Sequence, residues 1–302
     1  MSDTSTTRVP CPYALGATFS LEVSPPQGPP LVVEAKVVQL YSPFTVSSVM
    51  KVTLTSQSTS MMIPSEAVLK VYDRRFADSI RSEHHIGLPT YEAEAQYAEY
   101  LRSDDVLQTV DQIYDLVEQF PDGYHHPLEL GERLVAVIVK PFFENEKTTY
   151  GVLSSLQGNY VPTFYGTTRF LDASSPGLDT TIPGILIEFI PGTNLSQIDP
   201  NTIDLNSVLL TAMGIVNAYS DLNILNSDVR LTNFIVRPNG SEVVMIDFGD
   251  CRLRGEDEDD QAWKEAKWEE GEESAIGLAA ARWFGWNYVA SARYVYDVEP
   301  SQ

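Results

Sequence analysis

The chain has 302 residues, 43% hydrophobic and 10% aromatic, enough apolar material for the core of one large or one two-lobed domain. Its 42 acidic against 20 basic residues give a formal charge of -22, which repels phosphate backbones and anionic headgroups and argues against general nucleic-acid or membrane-surface binding. Two distant cysteines, Cys11 and Cys251, and histidines paired as His84–His85 and His125–His126 lack the ligand spacing of zinc sites, and the absence of a signal-peptide pattern or a bilayer-length apolar stretch predicts a soluble protein of the cytosol or nucleus.

Residues 1–30, rich in Ser, Thr and Pro and closing on Ser24-Pro25-Pro26-Gln27-Gly28-Pro29-Pro30, read as a disordered leader. Three strands follow, Leu31–Leu40, Val46–Leu54 and Glu66–Tyr72, joined by polar turns as in an antiparallel meander. Residues 76–130 carry helical spacing, with stripes Tyr91, Ala95, Ala98, Leu101 and Val106, Val110, Ile113, Leu116, Val117, Phe120. Glu132–Val139 fits a strand or a helix, and Glu144–Leu156 an amphipathic helix ended by Gly158. Tyr160–Phe170 and the apolar run Ile185–Ile190 lead to the turn Pro191-Gly192. Leu205–Leu222 is a helix with Val208, Leu209, Met213, Val216 and Tyr219 on one side, followed by a hairpin of Phe234–Val236 and Val243–Ile246 around Pro238-Asn239-Gly240-Ser241. The acidic run from Glu256 to Glu273 reads as a solvated helix or loop.

Chemistry-bearing residues concentrate around that hairpin. Before it stands Leu225-Asn226-Ser227-Asp228-Val229-Arg230-Leu231-Thr232-Asn233, and after it Val244-Met245-Ile246-Asp247-Phe248-Gly249. Either motif alone is what turns and caps produce anyway. Together, flanked by helix, strand, turn and strand, they resemble the catalytic loop and the Asp-Phe-Gly motif of the protein-kinase superfamily, in that order. Ala67-Val68-Leu69-Lys70-Val71-Tyr72 is similar to the strand that carries the phosphate-binding lysine. With Leu156-Gln157-Gly158 and the long insertion after Arg74-Arg75-Phe76, the stretch from about residue 31 to 290 looks like a family of fungal protein-kinase-like proteins.

The resemblance implies an α+β, bilobal protein-kinase-like fold: a small antiparallel-sheet N-lobe over residues 31–190, with the 76–130 insertion, and a mostly helical, shortened C-lobe over 191–302. It implies ATP and Mg as cofactors and a hydroxyl, most readily a protein Ser/Thr, as acceptor. Asp228 would meet the acceptor hydroxyl, Arg230 the γ-phosphate and Lys70 the α- and β-phosphates, with Asn233 and Asp247 as metal ligands. Glu146 would partner Lys70, with Glu144, Glu92 and Glu94 as rivals, and the main chain of Glu188 and Ile190 would meet the adenine edge. The departures are physical. Leu40–Ser48 has no glycine, so its backbone cannot approach phosphates as a Gly-rich loop does, which predicts weak nucleotide affinity. Asn226-Ser227 replaces the usual His-Arg, and no Ala-Pro-Glu follows Gly249. A small-molecule kinase of the aminoglycoside or choline kinase type and a non-catalytic pseudokinase are the alternatives.

Overall fold

The computed structural model describes residues 7–56, 64–118, 127–173, 175–291 and 293, and the architecture is mixed α+β. The chain divides into two units, Met1–Glu144 with Phe164–Glu188, and Asn145–Thr163 with Phe189–Gln302. Among the described residues no helix is long and apolar enough to cross a membrane.

The first unit is built on a closed barrel of antiparallel strands. Four of them, β1 (Thr18–Ser24), β2 (Leu31–Leu40), β3 (Ser48–Ser56) and β4 (Glu66–Val71), come in succession, and β5 (Phe164–Phe170) and β6 (Gly184–Glu188) complete the ring in the order β1-β2-β3-β4-β6-β5. Period-two alternation sends Phe19, Leu21 and Val23, then Val33, Ala35 and Val37, then Met50, Val52 and Leu54 into the core. Closure leaves no unpaired edge. The three strands expected from the meander pattern are β2, β3 and β4, paired antiparallel as anticipated.

The expected disordered leader is corrected from residue 7 onward. Thr18–Ser24 is the strand that closes the barrel, pairing with β2 on one side and β5 on the other. The Pro-rich stretch at 25–30 is the turn between β1 and β2 rather than the end of a tail. Upstream, Val9 N–H donates to the Pro89 carbonyl at 3.0 Å, and Tyr13 is buried with its hydroxyl on Asp73 Oδ2 at 2.8 Å.

Between β4 and β5 the inserted segment is helical, as expected: α1 (Asp78–Glu83), α2 (Tyr91–Tyr100) and α3 (Val110–Val117). In α3 the predicted stripe is buried at Ile113 and Val117, and Thr109 and Gln112 close a capping box at its start. Phe120 and His125–His126 lie outside the described residues. In α2 the stripe is wrong: Tyr91, Ala95, Ala98 and Leu101 face outward, and Ala93 and Tyr97 are the buried residues. The two segments expected at 132–139 and 144–156 are one continuous helix, α4 (Leu128–Val152), with Pro141 in its interior. Proline removes one helical hydrogen bond there, but burial of Leu134, Val135, Val139, Glu146 and Tyr150 holds helical backbone on both sides of it.

The second unit takes the last turns of α4 and continues with β7 (Thr193–Asn194), α5 (Leu205–Ser220), β8 (Ile224–Asn226), β9 (Phe234–Val236), β10 (Val243–Met245), β11 (Cys251–Leu253), α6 (Asp260–Glu270) and α7 (Glu272–Phe284). All five apolar residues expected on one side of α5 are buried. β9 and β10 form the predicted hairpin, with β7 added on the free edge of β9. Gly192 permits that approach, because a Cβ there would lie 2.3 Å from the Val236 carbonyl oxygen. β11 pairs with β8, placing Cys251 opposite Asn226.

Candidate functional site

The segment between β8 and β9 is turned by its own side chains. Asp228 N–H donates to Asn226 Oδ1 at 2.8 Å, which reverses the chain directly after β8. Leu231–Asn233 then makes one 3-10 turn, and Asn233 Nδ2 donates to both the carbonyl oxygen and Oδ2 of Asp228, at 2.8 and 3.0 Å. The five-residue spacing between Asp228 and Asn233 is thus the span of a closed loop whose ends share one amide. Because the amide nitrogen is committed to Asp228, the amide oxygen of Asn233 is the end left for another ligand. Arg230 Nη2 meets Asp228 Oδ2 at 2.7 Å, with the Arg230 side chain 58% exposed and that of Asp228 29%.

The hairpin delivers the second carboxylate. Ile246 N–H donates to the Asn233 carbonyl at 2.8 Å, so the end of β10 is tied to the end of the Asp228 loop. Asp247 follows with φ of 71°, a left-handed conformation that costs a non-glycine residue about 1–3 kcal/mol and recurs at functional positions. Phe248 holds it there: its ring is fully buried, edge-on to Tyr150 and Tyr219 at 5.6 and 6.3 Å between centroids. Its N–H donates to Glu146 Oε1 at 3.4 Å. Ser227 N–H donates to the Asp250 carbonyl at 2.9 Å, closing the two loops on each other.

This geometry gathers negative charge. Burial raises the Asp228 carboxyl above its usual value, Asn233 and Arg230 pull it back, and the charge of Asp247 raises it further. Asp250 is raised by burial and then by Asp228, Glu270 and Asp247. Burial also pushes the Cys251 thiol well up, helped by Glu146, Glu272, Asp247 and Asp250, which disfavours the thiolate.

Among the described residues no group of three or more His, Cys, Asp or Glu side chains could hold a metal ion. Two oxygen donors, the Asp247 carboxylate and the Asn233 amide, would leave a cation to take the rest of its oxygens from a phosphate ligand and water, the habit of Mg rather than of a caged structural metal. Burial is the main cause that raises Asp228 and Asp250, and the smaller repulsion that Asp247 adds to both is what such a cation would relieve.

Of the residues singled out in the sequence, Asp228, Arg230, Asn233, Asp247 and Glu146 come together in the second unit, and Ile190 is buried in the same unit. Lys70 and Glu188 belong to the first. Lys70 is buried on β4 between Val49 of β3 and Ile185 of β6, with its Nζ 5.9 Å from the Tyr72 ring centroid. Glu188 ends β6 opposite Ala67. Of the rivals to Glu146, Glu94 is engaged by Arg74 at 2.7 Å, Glu92 accepts from Gln96 Nε2 at 3.4 Å, and Glu144 lies on α4 in the first unit.

Sequence reasoning missed the support under the loop. Glu272, in the run taken as solvated, is buried and accepts from Tyr219 Oη at 2.7 Å, from Asn226 N–H at 2.9 Å and from Lys267, which also donates to the Ile224 carbonyl at 2.9 Å. Both ends of β8 are thereby anchored. The available signal was Trp263 and Lys267, four apart and therefore on one helix face, inside an otherwise acidic segment. Compared with known proteins, the chain matches no family model and no curated sequence.

Proposed function

We propose that the chain is an ATP-dependent phosphotransferase of protein-kinase type, moving the γ-phosphate to a hydroxyl, with a protein Ser/Thr as acceptor and a bilobal kinase-like fold as its frame. One observation carries the reading: a single Asn233 amide fixes both the backbone and the carboxylate of Asp228 in the loop that is tied to Asp247. In this reading Asp228 orients the acceptor hydroxyl and takes its proton, and Arg230 offsets γ-phosphate charge. Asp247 and the Asn233 amide oxygen would hold Mg, which when bound neutralises the phosphates. Lys70 is assigned to the α- and β-phosphates, Glu146 to Lys70, and the main chain of Glu188 and Ile190 to the adenine edge. The hydrogen bond from Phe248 to Glu146 favours Glu146 over its rivals, because it ties that carboxylate to the Asp247 segment.

A second reading, a pseudokinase scaffold, is favoured by the glycine-free connection between β2 and β3 and by the ion pair that engages the Asp228 carboxylate. Radiolabelled ATP with Mg and a panel of protein and small-molecule acceptors separates the readings. Label on protein Ser/Thr with the wild type and none with Asp247→Ala is the expected result. Label only on small aminoglycoside- or choline-like hydroxyls would make it a small-molecule kinase. Mg-ATP binding with no labelled acceptor would make it a scaffold.

A further inference from the structure

We propose that a groove in the first unit, which none of the phosphotransfer assignments uses, binds a small amphipathic carboxylate: an apolar body with one anionic head, of fatty-acid type. The groove holds about 610 Å³, inside the range of roughly 300–1,000 Å³ usual for small-molecule sites. One wall is a stripe of α4, Arg133, Ala136, Val139, Lys140 and Phe143, and the other comes from α2 and its C-terminal cap, where buried Tyr97 stands beside exposed Ala98 and Leu101. Spacings of three, four and seven put each set on one helix face. Tyr72, with its ring edge-on to Phe143 at 5.5 Å, adds a third apolar surface. The two alanines keep both walls low, and Leu101 is left 45% exposed. Ala98 and Leu101 belong to the apolar stripe of α2 that the fold itself does not bury.

Charge selects an acid over a neutral ligand. Arg74 and Arg75 also reach the groove but are matched, Arg74 by Glu94 and Glu132 and Arg75 by Asp73. Arg133 donates only to neutral acceptors, the Leu107 carbonyl at 2.6 Å and Gln108 Oε1 at 3.1 Å. Lys140 is exposed and has no ion-pair partner among the described residues. Two cations with no ion-pair partner among the described residues therefore stand two turns apart on one face of α4, with small Ala136 between them, in a protein of charge -22. The carboxylates at the rim have other partners or no ion pair with these cations: Glu94 is held by Arg74, Asp179 accepts from the Thr181 N–H and hydroxyl, and Glu144, four residues on from Lys140, forms no ion pair with it among the described residues. A carboxylate head fits between Arg133 and Lys140, with its chain on Tyr72, Tyr97 and Phe143.

Calorimetric titration of the full chain with decanoate and with decan-1-ol tests this. Decanoate should bind about tenfold or more tightly than the alcohol, the size of a hydrogen bond to a charged group. Ala98→Trp fills the groove from an exposed position and should weaken decanoate by a similar factor at an unchanged melting temperature. Arg133→Gln with Lys140→Gln should bring acid and alcohol to the same affinity. Equal wild-type affinity for the two, decanoate binding untouched by both variants, no binding of either ligand, or binding of an acidic peptide in place of decanoate overturns the proposal.

Discussion

The Asp228 loop and the α6–α7 junction that supports it both set a cation against a carboxylate, yet they are built for opposite ends. Lys267 and Glu272 have side chains 0% and 3% exposed, whereas Arg230 and Asp228 are 58% and 29% exposed. In the junction burial raises Glu272 and lowers Lys267, each more than the partner restores, so the pair survives only because Tyr219, Asn226 and Ile224 satisfy the remaining donors and acceptors. At the loop, solvent screens the pair and leaves the carboxylate able to exchange partners. Buried pairing fixes a position; half-exposed pairing keeps a group usable.

The largest expected effect is on the buried side. Glu272→Ala strands Lys267, Tyr219 Oη and Asn226 N–H together, and urea unfolding should show a loss of about 3–5 kcal/mol. Replacing both members of the pair, Lys267→Met with Glu272→Leu, should cost less than Glu272→Ala alone, because no unpaired charge remains. If the double variant were the worse of the two, the pair would be stabilising in its own right and the contrast with the loop would fail.

On the exposed side the loss should appear in rate instead. Asp228→Asn should lower turnover by about 100-fold or more with stability changed by less than about 1 kcal/mol, as for a positioned general base at a half-exposed site. Arg230→Ala should cost a smaller factor and also weaken γ-phosphate-dependent binding. Wild-type turnover in Asp228→Asn with every acceptor would mean that the loop is misassigned.

Asp247 connects the two behaviours, since its backbone is held against local preference by the burial of Phe248. Asp247→Gly removes that strain and should raise the melting temperature slightly, by an amount corresponding to about 0.5–1 kcal/mol. On the proposed function Mg-ATP should give the wild type a thermal shift that EDTA removes, and the same variant should abolish it. A shift that persists in Asp247→Gly, or in EDTA, counts against Asp247 as the metal ligand.

The legible parts of this molecule were those in which one physical signal decides the outcome. Period-two alternation placed β2, β3 and β4, the turn Pro238–Ser241 placed the β9–β10 hairpin, and the helical stripe of α5 placed five core residues. Failures came where a strong local signal was overridden by packing. Prolines at 25–30 drew attention from the alternation Phe19, Leu21, Val23, which is the better evidence for a strand. The segments expected at 132–139 and 144–156 are joined across Pro141 by the buried stripe of α4. The acidic run hid Glu272, because net charge says nothing about which single carboxylate meets three donors. Within the site the spacing of Asp228, Asn233 and Asp247 was readable, but the shared amide and the left-handed Asp247 are geometry that no spacing encodes.

The smallest effect belongs to a pair whose exposure lies between those of the junction and loop pairs. Arg252 of β11, 44% exposed and stacked 5.1 Å over Trp263, grips Glu258 with both nitrogens at 2.8 and 2.9 Å. Together with the Gly255 N–H and the charge of Arg254, it lowers the Glu258 carboxyl from 4.5 to about 2. A carboxyl depressed in the folded state contributes stability that is fully present above the unfolded value of 4.5 and is lost as pH falls through about 2. Other carboxylates titrate over the same window and change the self-repulsion of a chain of charge -22, so the difference between the wild type and Glu258→Gln is the quantity to follow. That difference should be about 1 kcal/mol or less at neutral pH, shrink in 1 M salt, and vanish as pH approaches about 2. A difference that held constant down to pH 2 would show that Glu258 acts through its neutral hydrogen bonds to the 255–258 turn rather than through its charge.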